Sequence, residues 1–131
     1  MDVLQGEIYW VDIPPGETRG HEQHGPRPCV VVSRTAINRR LGTVIVVPMT
    51  TSKGTVTPAS LASQPPFRVM IPVAEITKDV NCHSNLSLSV AKTDQARVID
   101  KSRLGQRVGM LSQTAITAII GVGLANVFDI R

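Results

Sequence analysis

At 131 residues, with 42% hydrophobic and 18% charged side chains, the chain is sized for one modest core. That excludes both a multidomain enzyme and an intrinsically disordered chain. Its formal net charge of +4 favours polyanionic partners.

The first expected element is a strand over Glu7–Ile13, with Ile8, Trp10 and Ile13 turned inward at roughly alternating positions. Pro14-Pro15-Gly16 ends it, because proline has no N–H to give a sheet ladder. A polar loop leads to Arg27, and Pro28–Ser33 reads as a second, central strand, apolar almost throughout. Thr35–Gly42 suits one helical turn stopped by Gly42, and Thr43–Met49 is a third buried strand. Residues 50–65, rich in Thr, Ser, Gly and Pro, form a long loop of the kind that tends to carry function.

A strand is expected over Phe67–Val73 despite Pro72, and irregular chain or one helical turn over Ile76–Asn85. Leu86–Val90 alternates in period two, as a half-buried strand does, and Ala96–Asp100 makes another. Ser102–Val108 suits a helical turn. Ser112 is the expected N-cap of a last helix, Gln113–Asn126. Its Ile116, Ile119, Ile120 and Leu124 recur at helical spacing and would cover a barrel mouth or sheet face. Trp10 and Phe128 are expected in the core. Short strands followed by one helix point to a mainly β fold with α decoration, a small β-barrel, in one domain over residues 1–131.

The compartment follows from the cysteines. Cys29 and Cys82 form no C-x-x-C pair and are too few for a disulfide scaffold, so the expected compartment is reducing and cytoplasmic. The start of the chain carries no positive-plus-apolar leader pattern. The stretch Ala115–Val127 is too short and too interrupted to span a bilayer, so no membrane association is expected.

Several residues carry chemistry. Arg27 lies between two prolines at the entrance to an apolar strand, where its planar fork can grip two phosphate oxygens or pair with a surface acid. Glu22, in a glycine-bounded loop five residues earlier, can take a proton from a hydroxyl or serve as the partner of Arg27. Thr50 ends an apolar strand, where its hydroxyl can donate to a phosphate or satisfy the backbone. His21-Glu22-x-His24 is one residue short of the helical H-E-x-x-H zinc spacing, so no metal site is expected. His21 and His24 are read instead as loop groups that stack on or hydrogen-bond to a base. Phosphate loops, dinucleotide fingerprints and nucleophile elbows are absent from the sequence, and no cofactor is expected. Arg34, Arg39, Arg40 and Lys53 are candidates for a cationic backbone track, and Tyr9 for a base contact.

The succession Gly6-Glu7-Ile8-Tyr9-Trp10-Val11-Asp12, then Gly20-x-Glu22-Gln23-x-Gly25-x-Arg27-Pro28, resembles the MazF/PemK-type toxins. So do Val44-Ile45-Val46-Val47-Pro48-x-Thr50-Thr51-Ser52 and Asp94-Gln95-x-Arg97-x-Ile99-Asp100. The likeness runs from about Gly6 to Asp129. It implies an SH3-like barrel with a C-terminal helix, usually a homodimer, acting as the toxin of a type II toxin–antitoxin pair. The activity implied is sequence-specific, metal-independent cleavage of single-stranded RNA. The 2′-OH would attack phosphorus to leave a 2′,3′-cyclic phosphate and a 5′-OH. Arg27, Thr50 and Glu22 take the catalytic positions. Thr51, Ser52, Lys53, Gln95 and Arg97 join His21, His24, Arg39 and Arg40 as RNA-binding candidates. The implied partner is a MazE-like antitoxin with an acidic C-terminal segment. Two other readings share the fold: a non-catalytic toxin that poisons DNA gyrase, and an inactive nucleic-acid-binding relative. The loop Pro14–His21 is longer than the family's, and Lys53–Pro66 and Thr77–Asn85 are idiosyncratic, so the RNA sequence cleaved does not carry over.

Overall fold

The computed structural model describes residues 2–13, 19–20, 25–51, 65–80 and 89–129. Eight strands form one antiparallel sheet: β1 (Glu7–Ile13), β2 (Gly25–Val31), β3 (Thr43–Thr51), β4 (Arg68–Ile71), β5 (Ile76–Lys78), β6 (Ser89–Lys92), β7 (Arg97–Asp100) and β8 (Leu104–Leu111). Their order is β4-β6-β3-β2-β1-β8-β5, with β7 also paired to β3. The sheet curls into the small SH3-like barrel with a C-terminal helix that the sequence predicts.

Strand β3 shows how the curl is made. Its first half pairs β7, from Thr43 opposite Asp100 to Val46 opposite Arg97, and its last residues pair β6, from Met49 opposite Ala91 to Thr51 opposite Ser89. Two neighbours thus share one edge of a single strand in succession. Side chains of a strand alternate between faces, and here both faces are covered. Val30, Val47, Met49 and Ala91 join one apolar cluster with Ile116 and Ile119 of the helix. Tyr9, Val11, Cys29, Val31 and Val46 join a second on the opposite face. The unbroken apolar runs in β2 and β3 are the sequence signature of this two-sided burial.

Helix α1 (Thr35–Asn38) is the single turn expected. At its end the buried Asn38 amide donates to the Val3 carbonyl at 3.1 Å, which seats the N-terminal segment. The C-terminal helix begins at Ser112, whose hydroxyl accepts from the Ala115 N–H as the predicted N-cap and donates to Glu75. It runs as α2 (Gln113–Ala118), a π-helical stretch (Ile119–Leu124) and α3 (Ala125–Phe128). Ile116 and Ile119 are buried and Leu124 packs against the core, whereas Ile120 is 37% exposed.

Several expectations change. The second strand runs Gly25–Val31 rather than Pro28–Ser33, so Arg27 lies within it. Ile76–Lys78 is not irregular but the edge strand β5, paired to β8 from Ile76 opposite Leu111. Ser102–Val108 is not a helical turn; a short 3-10 turn at Lys101–Arg103 leads into the long strand β8. The polar Gly105-Gln106-Arg107 run hides the strand, because β8 shifts register against β1 between Ile8 and Val11. Phe128 is 68% exposed rather than core. In β1, Tyr9, Val11 and Ile13 face the second cluster, while Ile8 and the half-buried Trp10 face the first. Strand β4 stops at Ile71, before Pro72, and Leu86–Leu88 and most of residues 50–65 lie outside the described residues.

Two backbone and charge details lock β1 to both neighbours. Gly6, at φ +96°, turns its N–H onto the Val31 carbonyl (2.8 Å) and its carbonyl toward the Leu111 N–H (2.9 Å). A side chain there would be strained and would press on Ile116 at 3.3 Å. Beside it the buried Glu7 carboxylate accepts from the Leu4 N–H, the Tyr9 hydroxyl and Arg107 Nε at 2.6 Å, and Arg107 also binds Asp79. These two carboxylates, Asp79 first, raise the Arg107 pKa. Burial, with Glu7 alongside, pushes the Tyr9 phenol up to about 12. Replacing Glu7 by alanine strands three donors, one of them charged. Glu7→Ala should therefore lower stability by roughly 3 kcal/mol in urea unfolding at neutral pH; a change below about 1 kcal/mol would contradict this account.

Candidate active site

Strand register brings the site together. Val11 lies opposite Arg27, and Cys29 lies opposite Pro48. Continuing that β2–β3 register by two residues sets Arg27 across from Thr50, which in turn lies opposite Val90, and Val90 opposite Met70. Arg27 and Thr50 also share a face, since each sits at even spacing from members of the second apolar cluster, Cys29 and Val46. The next row along the same face carries Pro48, Lys92 and Arg68, with Arg68 opposite Lys92. The paired stretch ends at Cys29 and Pro48, and Arg27 and Thr50 each lie two residues beyond it on these adjacent strands.

The electrostatics match this placement. Arg27 Nε is buried and has no hydrogen-bond partner among the described residues. Burial raises the Cys29 thiol to about 12, although the Arg97 and Arg27 guanidinia both pull it down. The Cys29 thiol is also within 3.7 Å of the Arg27 carbonyl, to which it donates. Burial lowers the pKa of Lys92, helped by the charges of Arg68 and Arg27 and opposed by Asp94. Arg27, Arg68, Lys92 and Arg97 therefore form one cationic face on four strands. Neither Lys92 nor Arg68 was a sequence candidate. Lys92 lies past the end of the expected strand Leu86–Val90, and nothing in the linear order says that the face of β6 it shares with Val90 borders Arg27.

The third element is the 3-10 turn Thr93–Gln95 between β6 and β7. The buried Thr93 hydroxyl donates to the Phe67 carbonyl, and Gly123 of the π-helical stretch lies directly over Thr93. A Cβ on Gly123 would come within 2.5 Å of Thr93 Cγ2 and 2.8 Å of Val69 Cγ2. Glycine is what lets the helix approach so closely. The turn delivers Asp94, Gln95 and, just beyond, Arg97 to a cavity of about 440 Å³ that Ile13, Pro48 and Val98 also line.

The remaining candidates divide. Glu22, His21, His24, Ser52 and Lys53 lie outside the described residues, and of Thr51 only the backbone is described. Arg39 and Arg40 are not brought to Arg27 and Thr50. They precede the start of β3, and Thr43 lies seven residues from Thr50, about 23 Å along a strand. There Arg39 holds Asp2 in an exposed ion pair at 2.9 Å. Arg34 borders an adjoining apolar groove with Ile37, Ile45, Val98, Ile120 and Phe128, which shares Arg97 and Val98 with the cavity. Tyr9 is buried with its hydroxyl on Glu7, so it is not placed to stack on a base. Among the described residues there is no cluster of three or more His, Cys, Asp or Glu suited to a metal. No described helix is long and apolar enough to cross a membrane.

What this arrangement can do is hold a polyanion. A buried, unpartnered guanidinium N–H next to a hydroxyl, with three further cations on the same face, is a preorganised acceptor site for phosphate oxygens.

The raised thiol pKa has a direct consequence. In a Cys82→Ser background at pH 8, Cys29 should stay protonated and unreactive toward a disulfide reagent in the native state, and react fully in denaturant. Rapid native labelling would show that Cys29 is not enclosed between the two guanidinia.

Comparisons with known proteins place the chain in a family and match its fold. The family of PemK-like, MazF-like toxins of type II toxin–antitoxin systems matches residues 4–121. Endoribonuclease PemK of Escherichia coli is 31% identical over 121 residues, covering 92% of this chain and 78% of that protein. The crystal structure of MazF from Deinococcus radiodurans superimposes with a TM-score of 0.71 at 24% identity, over 99% of both chains. A mycobacterial endoribonuclease in complex with its cognate antitoxin gives 0.64 at 20% identity, over 98% of this chain and 97% of that one.

Proposed function

We propose a mechanism from one premise: the chain belongs to the PemK-like, MazF-like toxins of type II toxin–antitoxin systems, and it is an endoribonuclease. Its substrate is single-stranded RNA, cut at specific sequences in the cytoplasm. The reading is supported above all by the buried Nε of Arg27, without a hydrogen-bond partner among the described residues, on a cationic face whose extended β2–β3 register points Arg27 toward Thr50.

The chemistry follows from what a phosphodiester requires. The 2′-oxygen attacks phosphorus while its proton passes to a base. The P–O5′ bond breaks, and the departing 5′-oxygen takes a proton. The products are a 2′,3′-cyclic phosphate and a 5′-OH. Negative charge peaks on the non-bridging oxygens of the phosphorane, where a fixed donor contributes most. Arg27 is assigned to those oxygens and as proton donor, Thr50 to hydrogen-bonding the phosphate, and Glu22, by family resemblance, to accepting or orienting the 2′-OH proton. Lys92, Arg68 and Arg97 hold the flanking backbone, with His21, His24, Thr51, Ser52, Lys53 and Gln95 as further RNA contacts. The step needs no metal, because the guanidinium supplies the charge.

Removing a preorganised donor of this kind costs about 3–4 kcal/mol of transition-state stabilisation. Arg27→Ala should cut turnover at least about a hundredfold with unchanged circular dichroism, and the wild type should cleave in excess EDTA. Undiminished cleavage by Arg27→Ala would sink the mechanism. A folded wild type that cuts no RNA would favour a binding role, such as gyrase poisoning.

Two partners complete the reading. A cognate antitoxin with an acidic segment would fold into the cationic face and block RNA. A second copy of the chain would cover the apolar groove around Ile37, Ile45 and Ile120, which are 44%, 41% and 37% exposed. Ile120→Glu should convert a dimer to a monomer in light scattering behind size exclusion; an unchanged mass would remove the groove as the interface.

A further inference from the structure

One charge in the cationic face runs against its neighbours. Asp94 stands among Arg27, Arg68, Lys92 and Arg97, where a carboxylate repels the backbone phosphates that the others attract. It is kept there by a specific arrangement. Arg68 Nη2 donates to Oδ2 at 3.0 Å, and Gln95 Nε2 approaches the same oxygen at 3.3 Å. Arg68 Nε is 2.8 Å from Oδ1, but its N–H is not aimed at that oxygen and makes no hydrogen bond. Arg68 thus faces both oxygens, and Oδ1 keeps a second lone pair for a further donor. The turn that carries Asp94 is fixed by Thr93 on the Phe67 carbonyl and by the close approach of Gly123.

Asp94 also lines the cavity of about 440 Å³, whose volume falls within the ~300–1,000 Å³ range of small-molecule pockets. Ile13, Pro48 and Val98 offer apolar walls to the faces of a flat ring, and Asp94, Gln95 and Arg97 a polar edge. Single-stranded RNA is read in this way, by packing a splayed base and hydrogen-bonding its edge. We infer that Asp94, in the cavity it shares with Gln95 and Arg97, is a base-reading residue that accepts from an exocyclic amine and discriminates against uracil. An ionised carboxylate only accepts. Adenine, cytosine and guanine each carry an amino donor, whereas uracil flanks its one N–H with two carbonyl oxygens that the carboxylate repels. Arg68 neutralises Asp94 toward the backbone while leaving an acceptor for the base. The inference rests on the ribonuclease reading and adds to it the kind of base taken at one position.

The test is cleavage of a randomised single-stranded RNA pool by wild type, Asp94→Asn and Asp94→Glu, with sequencing of the cut ends. Thermal unfolding of each variant checks the fold. The wild type should deplete uracil about 5- to 150-fold at one position beside the cut, the range expected for one good polar contact to a base. Asp94→Asn, which can also donate, should admit uracil at that position alone, and Asp94→Glu should keep the exclusion. If Asp94→Asn cuts the same sequences at a uniformly altered rate, Asp94 merely holds Arg68 and the inference fails. Failure follows equally if the wild type excludes uracil nowhere near the cut. A wild type that cuts nothing removes the ribonuclease reading and this inference together, whereas the other two failures leave the ribonuclease standing.

Discussion

The pairing of β3 is the constraint on which the rest depends. One nine-residue strand meets β2 along one edge and β7 then β6 along the other. Shifting its register against β2 by one residue would turn Val44, Val46 and Thr50 to the opposite face, and bring Val47 and Met49 out of the helix-covered core. The apolar clusters on the two faces forbid that shift. The same pairing that secures the core therefore also places Arg27 and Thr50 on adjacent strands, each two residues beyond the paired stretch. Fold stability and site geometry here share a single determinant.

Around that frame, charged groups serve two different ends. Glu7, Arg107 and Asp79 are an internal tie: the carboxylate of β1 is met by donors from its own strand, the N-terminal segment and β8. Every lone pair engaged there joins parts of the barrel. Arg27 is the contrary case, a buried N–H without a hydrogen-bond partner among the described residues. Burying a donor without an acceptor costs free energy, and in a folded protein such a cost marks a place where an incoming group completes the structure. Arg68 and Asp94 are intermediate, with the guanidinium facing both carboxylate oxygens and a second lone pair on Oδ1 left for a further donor.

The relatives are distant: 31% identity to the Escherichia coli enzyme and 24% to the Deinococcus radiodurans structure. At that distance the barrel persists more readily than the cavity walls, which are set by loops and short turns. The π-helical stretch over Thr93 belongs to this local layer. Helices depart from the α form where a neighbour must be accommodated, and here the neighbour is the turn that presents Asp94 and Gln95.

The sequence by itself determined the class of fold, the strands β1, β2 and β3, the Ser112 cap with its helix, and Arg27 and Thr50 as the residues to examine. These were legible because each depends on local patterns: two-sided apolar runs, prolines that delimit strands, a hydroxyl ahead of a helical stripe. Only the tertiary structure decided that Ser102–Val108 lies mostly in strand, since a register shift breaks the alternation that would have shown it. The same holds for Phe128, which extends a helical apolar pattern past the end of the surface it covers. Arg68, Lys92 and Asp94 joined the site, and Arg39 and Arg40 left it, because membership is settled by which strand edges meet. That choice is made by burying both faces of β3 at once, a long-range condition that no window along the chain contains.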